Sequence, residues 1–188
     1  MKEDVTMRII SGKYKGKNII GYDIDGTRPT QDRVKESLFA IIQEDIMDST
    51  CLDLFAGSGN LGIEALSNGA LKCYFVDKNK KCCEVIKKNL LNIENGIILN
   101  KDYNDALVYF RDNDIKFNLI FLDPPYNLNC LDDILNKIIE YNLLQESGLV
   151  ICEYEFDDFK NEYKDLKLIK EKKYGYKNIK IFKNVKKV

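Results

Sequence analysis

The sequence contains no histidine. Without an imidazole the chain cannot form a Ser-His-Asp triad, a Cys-His nucleophile pair or a zinc site with a histidine ligand. Hydrolases of the triad type and histidine-dependent zinc enzymes are therefore excluded.

Cysteine pairs of the C-x-x-C type are also missing, which argues against a thiolate site for zinc or iron–sulfur clusters. Most of the six cysteines lie in apolar runs, where Cys behaves as a small hydrophobic residue. The longest apolar runs are too short to cross a bilayer, and residues 1–6 lack the apolar core of a signal peptide. We therefore expect a cytoplasmic protein with reduced thiols, no metal and no membrane partner. We also expect a monomer.

Charge is unevenly distributed, although the net charge is only −1. Residues 1–40 carry eight basic and six acidic side chains. Residues 41–158 carry ten basic and 21 acidic side chains, and residues 159–188 carry eleven basic and three acidic ones. Only four arginines occur, and three of them, Arg8, Arg28 and Arg33, fall in the first 33 residues. Two basic ends around an acidic body indicate an anionic partner that contacts the ends.

From residue 51 onward, short apolar runs alternate with amphipathic stretches. Strands are predicted at 51–55, 72–76, 96–99, 117–122 and 148–153, and helices at 60–68, 79–92, 103–112 and 131–142. This alternation predicts an α/β fold with a mostly parallel sheet and helices on both faces. Two further strands, at 165–171 and 177–183, are expected to close the sheet as an antiparallel pair.

The segment before this alternation predicts a small appendage. Residues 7–20 are typical of a β-hairpin, and residues 30–46 of a helix with Thr30 as its N-cap. We divide the chain into an extension of residues 1–26 that contacts RNA and a catalytic domain of residues 27–188. The length suits one domain with a full core.

Four aspartates follow the first four strands of the alternation at similar intervals. They are Asp53, Asp77, Asp102 and Asp123, separated by 24, 25 and 21 residues. A single Asp after a strand is usually a turn or cap residue. Four in register, at the strand ends where open α/β sheets bind ligands, predict one binding crevice.

The loop after the first of these strands has a G-x-G-x-x-G pattern, from Gly57 to Gly62. Glycine permits a tight turn and lets a ligand approach the backbone at a helix start, a feature that NAD enzymes share. Asp53 lies four residues before the first glycine, where a carboxylate opposes a pyrophosphate but suits a cation. S-adenosylmethionine fits, and Asp77 suits its ribose hydroxyls.

Two of the three prolines stand together, in Asp123-Pro124-Pro125-Tyr126. Consecutive prolines form a rigid turn and present carbonyl acceptors. Asp123 and the Pro124 carbonyl can each accept one hydrogen of an exocyclic amine, while Tyr126 stacks on the base. The motif therefore predicts methyl transfer to a base amine, with Asp123 as orienting acceptor or as base.

On these motifs the sequence resembles the class I S-adenosylmethionine-dependent methyltransferases, and within them the RsmD family of bacterial small-subunit ribosomal RNA guanine-N2 methyltransferases. The matching segments are 7–13 (MRIISGK), 27–39 (TRPTQDRVKESLF), 52–66 (LDLFAGSGNLGIEAL), 121–126 (FLDPPY) and 173–175 (KYG). The resemblance implies a Rossmann-like, seven-stranded sheet and transfer of a methyl group to a guanine N2 in 16S ribosomal RNA or a small-subunit particle.

The resemblance also implies site residues. The expected cofactor set is Asp53, Phe55, Ala56, Gly57, Ser58, Gly59, Asp77, Lys78, Asp102 and Tyr103, with Asp102 at the adenine and Asp105 as a competing candidate. The expected catalytic set is Asp123, Pro124, Pro125 and Tyr126. Among the expected RNA contacts, the resemblance carries over to Arg8, Arg28 and Arg33. The basic residues of the hairpin, Lys13, Lys15 and Lys17, and also Thr30 complete the expected set.

Three alternatives stay open at this point. An adenine-N6 or other amino methyltransferase on RNA or DNA can use the same proline motif, although about 40 residues outside the sheet domain leave little room for reading DNA. An NAD(P)-linked oxidoreductase explains the glycine loop but not Asp53, Asp102 or the proline motif. An RNA-binding module on an inactive methyltransferase fold conflicts with the intact glycine loop.

Overall fold

The computed structural model describes residues 6–21, 28–125, 128–156 and 159–186. The strands within these residues are β1 (Thr6–Arg8), β2 (Asn18–Ile20), β3 (Thr50–Asp53), β4 (Lys72–Val76), β5 (Gly96–Leu99), β6 (Phe117–Leu122), β7 (Leu144–Tyr154), β8 (Glu162–Tyr163), β9 (Leu166–Tyr174) and β10 (Lys177–Asn184). The helices are α1 (Arg28–Ile46), α2 (Asn60–Ser67), α3 (Lys80–Asn89), α4 (Tyr103–Asp112) and α5 (Leu131–Glu140).

Eight of the described strands form one sheet in the order β5-β4-β3-β6-β7-β10-β9-β8. The first five of these are mutually parallel, and β10, β9 and β8 continue the sheet with antiparallel pairing. The predicted α/β fold, a mostly parallel sheet closed by an antiparallel pair, is confirmed. The two-residue β8 adds one edge strand to the seven that were expected.

Side chains of the central strands alternate between two hydrophobic clusters, one on each face of the sheet. In β6, Leu119 and Phe121 pack on one face, while Ile120 and Leu122 pack on the other. This alternation follows from the period of two residues along a strand. Apolar residues of α1, α2 and α3 cover the first face, and those of α4 and α5 cover the second.

Helix α1 begins at Arg28, two residues before the predicted N-cap. Thr30 therefore lies in the first turn, and the expectation that it caps the helix is wrong. Pro29 is compatible with this start because the first N–H groups of a helix have no intrahelical partner.

The β1–β2 hairpin packs on the sheet domain. Ile9 and Ile19 are each 1% exposed and belong to the same hydrophobic cluster as α1 and α2. At the end of α2, the Ser67 carbonyl accepts a hydrogen bond of 2.7 Å from the backbone N–H of Lys13. The described hairpin residues are therefore tied to the helix that follows the glycine loop.

No helix in the described part of the chain is both long and apolar enough for a transmembrane span. All six cysteines are free thiols, and Cys82 is the one that is not buried.

Candidate active site

The predicted aspartates gather at one edge of the sheet. Asp53 ends β3, Asp77 and Asp123 directly follow β4 and β6, and Asp102 lies three residues after β5. Because these four strands are parallel, their carboxyl ends meet on the same side. A cavity of about 180 Å³ opens at this edge.

Six residues of the predicted site line the cavity, and they come from two loops. They are Asp53, Phe55, Ala56, Gly57, Ser58 and Asp123. The structure thus brings the glycine loop and the start of the proline motif to one space. Pro124 and Pro125 border a smaller depression, which shares Glu153 with the cavity, and Tyr126 lies outside the described residues.

Gly57 gives the loop its shape. Its φ is +54°, in the left-handed region that favours glycine, and a Cβ built on it meets nothing within 4 Å. Asp77 holds the turn, because its Oδ2 accepts a hydrogen bond of 2.9 Å from the Gly57 N–H. The loop therefore presents bare backbone toward open space.

Asp53 lies beneath the same loop and is 2% exposed. Its Oδ2 accepts a hydrogen bond of 3.0 Å from the N–H of Gly62, which connects β3 to α2. Burial, with a smaller contribution from Asp77, raises the pKa of Asp53 to about 7. A cation in the cavity favours the ionised form of this carboxyl group.

The loop after β5 lies next to the cavity. The Tyr103 ring contacts the Phe55 ring at a centroid distance of 5.5 Å. Asp102 is half-buried and caps α4, with Oδ1 accepting from the Asn104 N–H at 3.0 Å, whereas Asp105 is exposed in the first turn. Neither aspartate lines the cavity.

Asp123 is half-buried at the end of β6. Burial, and to a smaller extent the Glu153 carboxylate, raises the pKa of Asp123 to about 8, while the Lys177 ammonium opposes the shift. The carboxyl group that is expected to hold the target amine therefore lies among other charged groups.

Residues 7–183 match the family model described as Conserved hypothetical protein 95. The chain belongs to this family. It is 36% identical over 182 residues to the Ribosomal RNA small subunit methyltransferase D of Haemophilus influenzae. The match covers 95% of this chain and 94% of that protein. It is 38% identical over 181 residues to YlbH of Bacillus subtilis, with 94% and 98% of the two chains covered.

The solved structure of yhhF from Escherichia coli matches with a TM-score of 0.82 and 28% identity, covering 97% of this chain and 100% of that chain. These matches confirm the predicted membership in the RsmD-like class I methyltransferases and the Rossmann-like fold of that class.

Three charged residues that line the cavity of this RsmD-like chain were missed from sequence: Lys35, Glu153 and Lys177. Lys35 carried a signal, because it lies three residues before Leu38 on the apolar face of α1. The sequence signal for Lys177 was weaker: this residue closely follows the segment 173–175 that resembles the family. Glu153 carried no sequence signal, because a charged residue at the end of an apolar strand is usually a surface residue.

The predicted RNA contacts of the RsmD-like chain differ in accessibility. Lys13, Lys15 and Arg33 are exposed, whereas Lys17 donates to the Leu91 carbonyl. The exposed Arg8 pairs with Asp32 at 3.1 Å. Its neighbour Met7 lines the cavity, so this part of the hairpin lies at the cavity edge. Arg28 and Thr30 begin α1, and their side chains are outside the described part of the structure.

Clusters of three or more metal-ligating side chains do not occur among the described residues.

Proposed function

We propose that this chain transfers a methyl group from S-adenosylmethionine to the exocyclic N2 amine of a guanine in 16S ribosomal RNA. The observation that carries the proposal is the shared cavity: Asp123 of the proline motif lines the same space as Asp53 and the glycine loop. The similarity to the Ribosomal RNA small subunit methyltransferase D of Haemophilus influenzae supports the substrate.

The residues present fit the cofactor. The open space at the Cβ position of Gly57 leaves room for a ligand against the backbone of the loop. Asp53 supplies a buried carboxylate for a cationic group, and Asp77 keeps acceptor capacity for ribose hydroxyls. Phe55 and Tyr103 offer an aromatic wall beside Asp102, which we assign to the adenine edge. When bound, S-adenosylmethionine supplies an electrophilic methyl group on a sulfonium sulfur.

The remaining cofactor contacts follow from this arrangement. Ala56, Ser58 and Gly59 belong to the glycine loop, and Lys78 directly follows Asp77. We assign all four to the walls of the cofactor site.

Asp123 and the Pro124 carbonyl orient the target amine. The N2 lone pair of guanine is delocalised into the ring, which makes the amine a poor nucleophile. Two acceptors that hold the two N2–H hydrogens favour a pyramidal nitrogen whose lone pair is free for the methyl carbon. Orientation of this kind supplies several kcal/mol of rate acceleration, on the order of that seen in intramolecular reactions.

Asp123 also stabilises the charge and receives the proton. The new N–C bond forms as the S–C bond breaks, so positive charge passes from sulfur to N2, where the Asp123 carboxylate is placed to stabilise it. The methylated amine then loses one proton to Asp123 or to water. Pro125 keeps the turn rigid, and we assign Tyr126 to stacking on the base.

The hairpin is proposed as the RNA-contacting extension, residues 1–26, beside a catalytic domain of residues 27–188. The exposed Lys13, Lys15 and Arg33 suit phosphate groups of the RNA. We assign Arg8, Lys17, Arg28 and Thr30 to the same surface. The target guanine must be unpaired or flipped to reach the cavity. Location in the cytoplasm and a monomeric state remain predictions.

The test is incubation of the protein with S-adenosylmethionine labelled in the methyl group and unmodified small-subunit RNA or particles. We expect label in the RNA and N2-methylguanosine in its nuclease digest, and no label from tritiated NADH. Recovery of N6-methyladenosine would support an adenine methyltransferase instead. Binding of RNA with no methyl transfer to either substrate form would support the RNA-binding module.

A further inference from the structure

Strand pairing places a second carboxylate beside Asp123. In the parallel register of β6 and β7, Leu122 lies opposite Cys152. The next residues, Asp123 and Glu153, therefore lie side by side at the end of the two strands. Both line the cavity.

Lys177 joins this pair from the neighbouring strand. It begins β10, which is antiparallel to β7, and its Nζ donates a hydrogen bond to Glu153 Oε1. The side chains of Lys177 and Glu153 are only 13% and 11% exposed, and both line the cavity. An ion pair so well shielded from water, on the wall of a binding cavity, presents strongly directional polar groups to whatever enters.

The three side chains match the Watson–Crick edge of guanine. That edge carries two donors, the N2 amine and N1–H, followed by one acceptor, O6. Asp123 and Glu153 supply two acceptors, and Lys177 supplies one donor. At adenine N1 there is a lone pair in place of a hydrogen, and Glu153 would repel it.

We infer that Glu153 and Lys177 select the base, with Glu153 accepting the guanine N1–H and Lys177 donating to O6 while Asp123 holds N2. This inference rests on the proposed function and extends it to base selection. Sites that hydrogen-bond a substrate group reject analogues without it by large factors, because the buried partners are left unpaired.

The test compares methylation of small-subunit RNA that carries guanine at the target position with RNA that carries 2-aminopurine there. Both RNAs are assembled by ligation. They are used free or in particles, whichever form the wild-type protein methylates. 2-Aminopurine keeps the N2 amine but lacks O6 and carries no hydrogen on N1. We expect wild-type kcat/KM to be at least about 100-fold lower for the 2-aminopurine substrate. In Glu153→Gln and Lys177→Met we expect this ratio to shrink at least about tenfold, because the guanine reaction slows and the 2-aminopurine reaction does not.

Two controls separate base selection from other effects. Glu146→Gln changes an exposed carboxylate at the other end of β7 and should leave the ratio unchanged. The double variant Glu153→Gln/Lys177→Met removes both charges of the ion pair, so it keeps the test valid where a single variant fails to fold. Thermal unfolding and S-adenosylmethionine binding are measured for every variant.

An unchanged ratio would overturn the inference. If the ratio is unchanged because both substrates lose activity equally, the ion pair only ties β7 to β10. Absence of N2-methylguanosine from the wild-type reaction is a different result, because it would refute the proposed function itself.

Discussion

Lys35 Nζ lies 2.8 Å from Glu64 Oε2, and the two side chains are only 3% and 0% exposed. The same ammonium donates to the Arg8 carbonyl and to Asn60 Oδ1, both at 2.8 Å. Glu64 in turn accepts from the backbone N–H of Ser11 at 2.8 Å. This ion pair therefore joins α1, α2 and the hairpin at the wall of the cavity.

Removal of one partner of this pair should strongly destabilise the fold. In Lys35→Met the Glu64 carboxylate stays buried without its counter-charge, and we expect a loss of about 3–5 kcal/mol in the free energy of unfolding. Chemical denaturation measures this value. Lys116→Met is the matched control, because the half-buried Lys116 lies 3.9 Å from the exposed Asp114, in a surface pair whose loss should cost less than about 1 kcal/mol. Equal effects of the two substitutions would contradict the assigned role.

Substitution of Gly57 should impair cofactor binding more than stability. A methyl group at this position enters open space that we assign to the cofactor, so Gly57→Ala should weaken S-adenosylmethionine binding at least about tenfold, or about 1.4 kcal/mol. Calorimetric titration measures the affinity. Gly16→Ala controls for backbone strain, because Gly16 also has a positive φ, +85°, and an unobstructed Cβ position. Similar affinities of the two variants for S-adenosylmethionine would contradict the assignment of this space to the cofactor.

The buried Asp53 should make stability depend on pH. Its pKa is raised to about 7, against an ordinary value near 4 in the unfolded chain, so the folded state binds the proton more tightly. Its contribution to the free energy of unfolding is therefore full below about pH 4 and is lost as pH rises to about 7.

The variant Asp53→Asn lacks this dependence. As the pH rises from 4 to 8, the free energy of unfolding of the variant should increase relative to that of the wild type by up to about 4 kcal/mol, because each pKa unit corresponds to about 1.4 kcal/mol. Urea denaturation at both pH values gives the difference, with the exposed Asp48→Asn as control. A constant gap between variant and wild type would refute the prediction.

Variants of Asp123 separate orientation from proton transfer. Asparagine keeps an acceptor oxygen but cannot take a proton or carry charge, so we expect kcat to fall about 100-fold in Asp123→Asn and at least about 1000-fold in Asp123→Ala. The raised pKa predicts that wild-type kcat increases with pH until about 8, as the carboxylate forms. Asp123→Asn should lose this increase. Retention of the wild-type pH profile in the Asn variant would assign the titration to another group.

The hairpin should contribute to the salt dependence of RNA binding. If Lys13 and Lys15 contact phosphates, Lys13→Gln/Lys15→Gln reduces the slope of log affinity against log salt by about 2. Fluorescence anisotropy across a salt titration measures the slope. Lys116→Gln, just before β6 and outside the predicted RNA contacts, should leave it unchanged. An unaltered slope in the double variant would remove the hairpin from the RNA surface.

Local patterns predicted the fold well. The bounds of β4, β5 and β6 at 72–76, 96–99 and 117–122 follow from apolar runs alone. The same runs, with an Asp after each, placed Asp53 and Asp123 at one edge, because parallel strands end together.

The charged pairs were not predictable in the same way. Lys35 and Glu64 are 29 residues apart, and Glu153 and Lys177 are 24 apart, so each pair depends on tertiary packing. Periodicity shows which face a residue occupies but not which distant residue it meets. The start of α1 was misplaced because Thr30 is a favoured N-cap residue type, whereas Pro29 is equally acceptable in the first helical turn.

The most direct test of the account counts modified nucleosides by mass spectrometry after wild-type protein and Asp123→Ala act on the same unmodified small-subunit particles. The account predicts about one N2-methylguanosine for each 16S RNA with the wild type, at one position, and almost none with the variant. Methylation at adenine N6, or equal N2-methylguanosine from both proteins, would contradict it.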